Sequence, residues 1–316
     1  MKTKDIRLLF LGGAKRVSLA ERFLGSAKKL DIAMSIYSYE LNQYVPIADV
    51  AEIIVGLKWN DPEILDHLSE MIKKLSINMI IPSLDPATLI ASQLKQKFAG
   101  LFIPVSDYNN CAIFFNKQKA NAWFIENGFQ IPELNDNLPF IAKPKEGSAS
   151  KGIIAVTSER EKISFYDKHN VSDYVIQRFI NGDEYTIDCY VSKKGRILCV
   201  VPRKRLEVVS GEVIRTVTIR DEEIIELSSR ILEKSKLIGP ITIQCIKEIN
   251  TGAIYFIEIN PRFGGGAICS IEAGADIPYL LLCDYLGKEL KPMMDWEEHV
   301  LMARCYRETF FHANYN

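Results

Sequence analysis

Residues 256–266 constrain this chain most. They read Phe-Ile-Glu-Ile-Asn-Pro-Arg-Phe-Gly-Gly-Gly, an alternating strand that Pro261 stops and a glycine turn follows. Successive side chains on a strand point to opposite faces, so Glu258 and Asn260 share one face. Ile257 and Ile259 take the other face, toward a core. Two hard oxygen ligands, with Arg262 two residues beyond, suit Mg²⁺ and a phosphate. Residues 241–246 form a second alternating run, and Asn250-Thr251-Gly252 is a turn signal between the two. A hairpin centred on Thr251 sets Gln244 opposite Glu258 and Thr242 opposite Asn260. Gln244, Glu258 and Asn260 then form one oxygen-rich cluster, which a one-residue slip would destroy. An edge hairpin with a solvated polar face is the alternative. It sits less well with a face that carries Gln, Glu and Asn and no lysine.

The chain has 316 residues, enough for two or three subdomains. Its formal net charge of −1 gives no reason to expect a nucleic-acid partner. No apolar run approaches the roughly 20 residues that cross a bilayer, so no membrane role is expected. Residues 8–11 are too short for a signal-peptide core. The seven cysteines are scattered with no Cys-x-x-Cys pair, which fits reduced thiols and a cytoplasmic protein. The four histidines lack metal-ligand spacing.

Residues 5–104 alternate strands and helices: a strand over 6–11, a Gly12-Gly13 turn, a helix over 14–30 and a strand over 33–37. A helix over 62–75 is capped by Asp61, with Pro62 at its first position, and a buried strand over 77–81 ends at Pro82. This pattern predicts a small parallel sheet. Gly12-Gly13-Ala14-Lys15-Arg16-Val17 departs from G-x-G-x-x-G and reads as the tight turn of an α/β unit. Asp85 follows the third strand, where open α/β sheets place ligands; a helix cap is an equal alternative for it. A boundary falls at 104–110. Beyond it come a helix over 117–127, strand-rich segments over 140–156 and 172–202, and helices over 224–237 and 274–286.

Residues 140–145 lead into Glu146-Gly147-Ser148-Ala149-Ser150-Lys151-Gly152, and 153–156 lead out. In this strand–loop–strand unit, small residues let backbone N–H groups approach phosphate oxygens. It is not a Walker A loop, because no Gly-Lys-Ser/Thr opens a helix. Lys143 delivers an ammonium beside the loop. Residues 174–188 form a strand, an Asn-Gly turn and a second strand. Arg203 and Arg205 share a strand face, and arginine forks bind carboxylates and phosphates at two points. They are candidates to hold an acidic substrate or a γ-phosphate; a charged edge strand is the alternative.

On the hairpin, the lysine-led glycine loop and the 174–188 segment, the chain resembles the ATP-grasp superfamily. That group includes the carbamoyl-phosphate synthetase large subunit and biotin carboxylase. The resemblance covers about 116–274, with a weaker match before it. It implies an α/β fold in two parts: an N-terminal parallel-sheet α/β domain, 1–106, and a two-lobed grasp domain with antiparallel sheets, 107–316. The small mobile lobe of the second part spans about 138–180. It implies ATP contacts from Lys117 and Lys143, and from Gly147, Ser148, Ser150 and Gly152 of a loop over the triphosphate. Gln177, Arg178, Phe179 and Ile180 would form the hinge that reads adenine. Glu184 would contact the ribose or adenine side, and Asp188 shares its face, with pairing to a nearby lysine as an equal reading. Gln244, Glu258 and Asn260 would hold two Mg²⁺ ions, with Mn²⁺ as a substitute, and Arg262 and Lys143 would be catalytic. Arg203, Arg205 and Asp85 remain as substrate contacts.

The expected function is an ATP- and Mg²⁺-dependent ligase that joins a small carboxylate to an amine through an acyl phosphate. The rivals are a small-molecule kinase on the same grasp, a catalytically silent nucleotide sensor, and a nicotinamide-dependent oxidoreductase using the first domain. With one grasp unit and no recognisable glutaminase or biotin-accepting region, carbamoyl phosphate is not the expected product. An amino acid or sugar acid fits better. The first domain's sheet edge offers a route to a homodimer.

Overall fold

The computed structural model describes residues 5–147 and 151–312. The first part runs β1 (Asp5–Leu11), α1 (Val17–Lys29), β2 (Ala33–Glu40), β3 (Glu52–Val55), α2 (Ile64–Lys74), β4 (Met79–Pro82) and α3 (Asp85–Lys97). Two short helices, α4 (Tyr108–Phe115) and α5 (Lys117–Glu126), lead to β5 (Phe140–Pro144), β6 (Ile154–Val156), α6 (Glu159–Lys168) and β7 (Tyr174–Arg178). The chain continues through β8 (Gly182–Val191), β9 (Ile197–Val209), β10 (Glu212–Thr218), α7 (Glu222–Ser235), β11 (Gly239–Glu248) and β12 (Ile254–Asn260). It ends in α8 (Ala267–Glu272), α9 (Ile277–Leu286) and β13 (Leu301–Ala303).

The first sheet is parallel, in the order β3-β2-β1-β4. The apolar run of β1 has a simple cause. Ile6, Leu8 and Phe10 enter one core with α1, while Leu9 and Leu11 enter a second core with Leu68 and Ile72 of α2. A parallel strand covered by helices on both faces must be apolar on both. α1 buries Leu19, Ala20, Phe23 and Ala27, a stripe at helical spacing.

The second sheet has six antiparallel strands in the order β12-β11-β8-β9-β10-β13. Its two faces differ sharply. Ile187, Cys189, Ile241, Ile243, Cys245, Phe256 and Ile259 join Ile224, Ile231 and Leu232 of α7 in a continuous core. The other face carries Glu184, Thr186, Asp188, Arg203, Arg205, Thr242, Gln244, Glu258 and Asn260. A third, small sheet, β6-β5-β7, packs Phe140, Ala142 and Val156 against Phe165 of α6.

The first sheet's α1 side and the large sheet's helices share one core. Phe23 meets Phe263 edge-on at 6.2 Å, and Ser26 and Lys29 bond Asp276, which also caps α9. The sequence reading omitted α3, α4, α6, α8, β3, β10 and β13. Of the two readings of Asp85, ligand contact or helix cap, the cap does not hold: Leu84 is the cap residue and Asp85 opens the helix, where an acid suits the helix dipole. β9 lies between β8 and β10, so Arg203 and Arg205 do not lie on an edge strand. No helix among the described residues is long and apolar enough to cross a membrane.

Candidate active site

The β11–β12 hairpin pairs Gln244 with Glu258 and Thr242 with Asn260, as the spacing predicts. It does so through a β-bulge that the spacing does not show. Nearer the turn the register is Cys245 with Phe256 and Ile246 with Tyr255, one residue short of that sum. Extended without a break, that ladder would pair Gln244 with Ile257 and turn Glu258 into the core. The extra residue is Ile257. It therefore does not enter the core: it lines the same cleft as Gln244 and Glu258. Bulges re-aim side chains in this way. Ile259 beyond it returns to the core, fully buried.

Across the cleft stand Lys117, Lys143, Pro144, Gly147 and Ile153. Lys117 opens α5, behind an Asn116 cap, and its Nζ donates to the Gly147 carbonyl at 3.0 Å. Lys143 lies on the central strand of the small sheet. Burial pushes its ammonium below the usual lysine range; Glu258 opposes this, Lys117 adds to it and Glu184 opposes it. Lys143 of the small sheet and Lys117 of α5, whose Ala120 and Phe124 sit in the large sheet's core, thus both face the Gln244–Glu258 pair. Gly152 has a φ of 74°, and a Cβ there would lie 2.9 Å from the Pro144 ring, so the loop's return demands glycine. Gly147 also has a positive φ. Ser148 and Ser150 lie outside the described residues.

The donor set fits Mg²⁺ that arrives with phosphates. One carboxylate and two amide oxygens are hard ligands, and Mg²⁺ is commonly held by one or two carboxylates plus substrate phosphates. Among the described residues no cluster of three His, Cys, Asp or Glu side chains could hold a metal by itself.

Arg262 is fixed from three sides. Nε donates to Asp85, Nη1 to the Phe263 carbonyl at 3.1 Å, and Nη2 to Asn260 Oδ1 at 3.3 Å. A guanidinium has five N–H donors, so two remain. Asp85, from the parallel-sheet domain, thus meets the hairpin's arginine directly. Arg203 and Arg205 are engaged elsewhere. Arg203 is buried, donating to Asp188 at 2.6 Å and to Thr216 at 3.1 Å, and Ser270 donates to the same Asp188 oxygen. Asp188 therefore pairs with an arginine rather than a lysine. Arg205 pairs with Glu184 and donates to the Gly211 carbonyl. Both arginines are thus committed to acidic partners, and Asp188 and Thr242 lie directly beneath Gly264.

Residues 179–181 connect the small sheet to the large one. Gln177 is buried, with a long contact to the Pro132 carbonyl at 3.5 Å. Arg178 is tied to Glu248 at 3.0 Å and to the Tyr255 hydroxyl at 3.1 Å, beyond the cleft. Phe179 is exposed and Ile180 buried.

Two arginines escaped the sequence reading. Burial, with the nearby Arg262 and Arg304, lowers the pKa of Arg16, at the start of α1, to about 10, and Glu212 opposes this. Arg304, just past β13, donates to Glu212 and to the Gly265 carbonyl. Arg16 has no hydrogen-bond or ion-pair partner for its side chain among the described residues, and α1 has no acid in its first turn. The Gly12-Gly13 turn itself is filled. The backbone N–H groups of Gly13 and Ala14 donate to the buried Glu40 carboxylate, and Ser38 Oγ donates to it at 2.6 Å. Burial raises the Glu40 pKa. A dinucleotide pyrophosphate has no place in a turn that already holds a carboxylate.

A family profile described as "ATP-grasp in the biosynthetic pathway with Ter operon" matches residues 170–307. The biotin carboxylase domain of Hydrogenobacter thermophilus 2-oxoglutarate carboxylase, solved with MgADP, ADP and bicarbonate, superposes with a TM-score of 0.75. It is 15% identical, over 93% of this chain and 73% of that one. N5-carboxyaminoimidazole synthetase from Staphylococcus aureus, solved with ADP, gives 0.73 at 18% identity, over 93% and 80%. Biotin carboxylase from Campylobacter jejuni, in a β,γ-ATP complex, gives 0.73 at 15% identity, over 92% and 73%. The fold is the ATP-grasp fold. Within that fold Lys143 lies on the small sheet, Lys117 on a helix packed against β12, and Gln244, Glu258 and Asn260 on the large sheet. No curated protein matches the chain by sequence.

Proposed function

We propose that this chain is an ATP- and Mg²⁺-dependent ligase that joins a small carboxylate to an amine through an acyl phosphate. The observation that carries this is the cleft where Lys117 and Lys143 face Gln244 and Glu258. Two cations facing two oxygen ligands across a cleft suit a triphosphate with its metal. The ADP, MgADP and ATP in the related folds support the same reading.

The two lysines bind the β- and γ-phosphates, beside Gly147 and Gly152. Residues 177–180 border the adenine, and Glu184 lies on the ribose side. Glu258, Gln244 and Asn260 would hold two Mg²⁺ ions, or Mn²⁺ in their place, and such ions would supply charge neutralisation to the phosphates. A substrate carboxylate oxygen attacks the γ-phosphorus in line, the bond to the bridging oxygen breaks, and ADP leaves. The two uncommitted N–H groups of Arg262 are available to the charge that builds on the acyl phosphate and on the tetrahedral oxyanion. The amine lone pair then attacks the acyl carbon, phosphate departs, and the surplus amine proton goes to solvent. A closed loop keeps water from the acyl phosphate.

The test is thermal stability against ATP with and without Mg²⁺, in wild type and Glu258→Gln. A ligand at a hundredfold excess over Kd adds about 2.7 kcal/mol. The wild type should show a Mg²⁺-dependent shift that Glu258→Gln largely loses, with turnover down by about a hundredfold or more. Hydroxylamine as the amine should yield a hydroxamate and one free phosphate per ADP. Phosphate retained on the acid would make the enzyme a kinase, and no nucleotide shift at all would sink the grasp mechanism.

A further inference from the structure

Beyond the nucleotide cleft, a second pocket of about 320 Å³ lies at the carboxyl ends of the parallel strands. Leu41 follows β2, Trp59 follows β3 and Pro86 follows β4; Lys58 and Asn60 complete the lining. Open α/β sheets bind their ligands at these strand ends. The volume matches the lower end of small-molecule sites. Its walls are apolar yet open to solvent, with Leu41 59% and the neighbouring Leu84 41% exposed. Trp59 is held by its ring contact with Tyr39 at 5.8 Å, so one wall is preset.

The pocket adjoins the arginine cluster. At Gly12 a Cβ would lie 2.6 Å from Leu84 Cδ1 and 3.4 Å from the Trp59 ring, so the turn that leads into Arg16 packs directly against this wall. Asp85, the next residue after Leu84, bonds Arg262. Arg16 Nη1 and Arg304 Nη2 converge on Gly265, 3.4 and 3.6 Å from a Cβ built there, and Arg16 makes no side-chain hydrogen bond among the described residues, with Glu212 attracting it at longer range. An apolar pocket and an uncommitted guanidinium thus share the Gly12 turn and the 84–86 corner.

We propose that the acid substrate carries an apolar body, aromatic or branched, which sits between Leu41, Trp59 and Pro86 while Arg16 binds its carboxylate beside Arg262. This rests on the ligase reading and narrows its substrate class: sugar acids and acidic amino acids are disfavoured, because Leu41, Trp59 and Pro86 offer their hydroxyls and charges no hydrogen-bond partner. Lys58 and Asn60, at the open side, leave room for one polar substituent.

The test is a thermal-shift and calorimetric titration of protein pre-saturated with MgADP. The probes are 3-phenylpropionate, phenylalanine and leucine, set against gluconate, aspartate and 3-phenylpropanamide. The proposal expects the apolar acids to bind and the others to bind at least about tenfold more weakly. Leu41→Lys and Trp59→Ala should weaken the apolar acids by about tenfold or more and leave MgADP binding within about twofold. Leu41 is exposed, so its replacement keeps the fold even where loss of Trp59 does not. Arg16→Gln should abolish the preference for 3-phenylpropionate over its amide. Polar acids binding best, or no apolar acid binding while MgADP does, overturns the substrate class and leaves the ligase reading standing. Failure of MgADP to bind overturns both.

Discussion

Lys143 shows how a functional residue costs its own fold. Desolvation pushes its ammonium below the ordinary 10.5, so the empty protein holds a charge it would rather lose. Between the lowered folded pKa and 10.5 the unfolded chain binds more protons than the native one. Native stability therefore rises with pH through that window. Phosphate oxygens reverse the sign when nucleotide enters. Lys143→Met should accordingly raise the Tm of the nucleotide-free protein at neutral pH and flatten this alkaline slope. It should also remove the MgATP shift and cut turnover by about a hundredfold or more. Melting curves from pH 7 to 10 check it; a variant less stable than wild type would show that the Glu258 attraction outweighs burial. The residues of the hairpin were legible because alternation is local. Arg16 was not, because nothing within a few residues of it reveals Arg262 and Arg304.

At the scale of the element, the glycine turn 264–266 is fixed by what lies beneath it. A Cβ on Gly264 would come within 2.9 Å of Thr242 Oγ1 and 3.1 Å of Asp188 Oδ1. Thr242 Oγ1 also donates to the Arg262 carbonyl, so any displacement there moves the arginine. Gly264→Ala should cost roughly 1–3 kcal/mol and lower kcat more than the KM for ATP. Gly25 makes the contrast: it sits mid-helix in α1 with nothing within 4 Å, so Gly25→Ala should stabilise by about 0.4–1 kcal/mol with activity unchanged. Urea denaturation of both variants decides it. The β12 bulge is the element the sequence concealed. Glu258 faces the cleft only because Ile257 adds one residue to the ladder, and alternation alone assigned Ile257 to the wrong face.

For the whole molecule, the parallel-sheet domain and the grasp are joined by shared core and by the Asp85–Arg262 contact. Phe10 and Phe23 belong to the same core as Phe263, Ile271 and Leu281. The fragment 107–316 would expose that surface, and loss of Asp85 would leave Arg262 without its carboxylate. It should show no cooperative calorimetric transition and no MgATP shift, whereas the full chain shows both. A fragment that melts cooperatively and binds MgATP would show that the grasp stands alone. The 304–312 segment adds a further tie, since Arg307 reaches Glu21 and Asp49 of the first domain.

The amino-acid sequence by itself determined the parallel βαβ start, the β11–β12 hairpin with its Gln244–Glu258 pair, and the lysine-led glycine loop. Each rests on periodicity, turn residues or charge spacing within about twenty positions, where chain connectivity alone dictates who faces whom. Tertiary structure decided the rest. It committed Arg203 to Asp188 and Arg205 to Glu184, because neighbouring strands place those charges side by side on a buried face. It filled the Gly12-Gly13 turn with Glu40, and it gathered Arg16, Arg262 and Arg304 from positions nearly three hundred residues apart. Which cation meets which anion depends on how sheets and helices close on one another, and no local pattern records that closure.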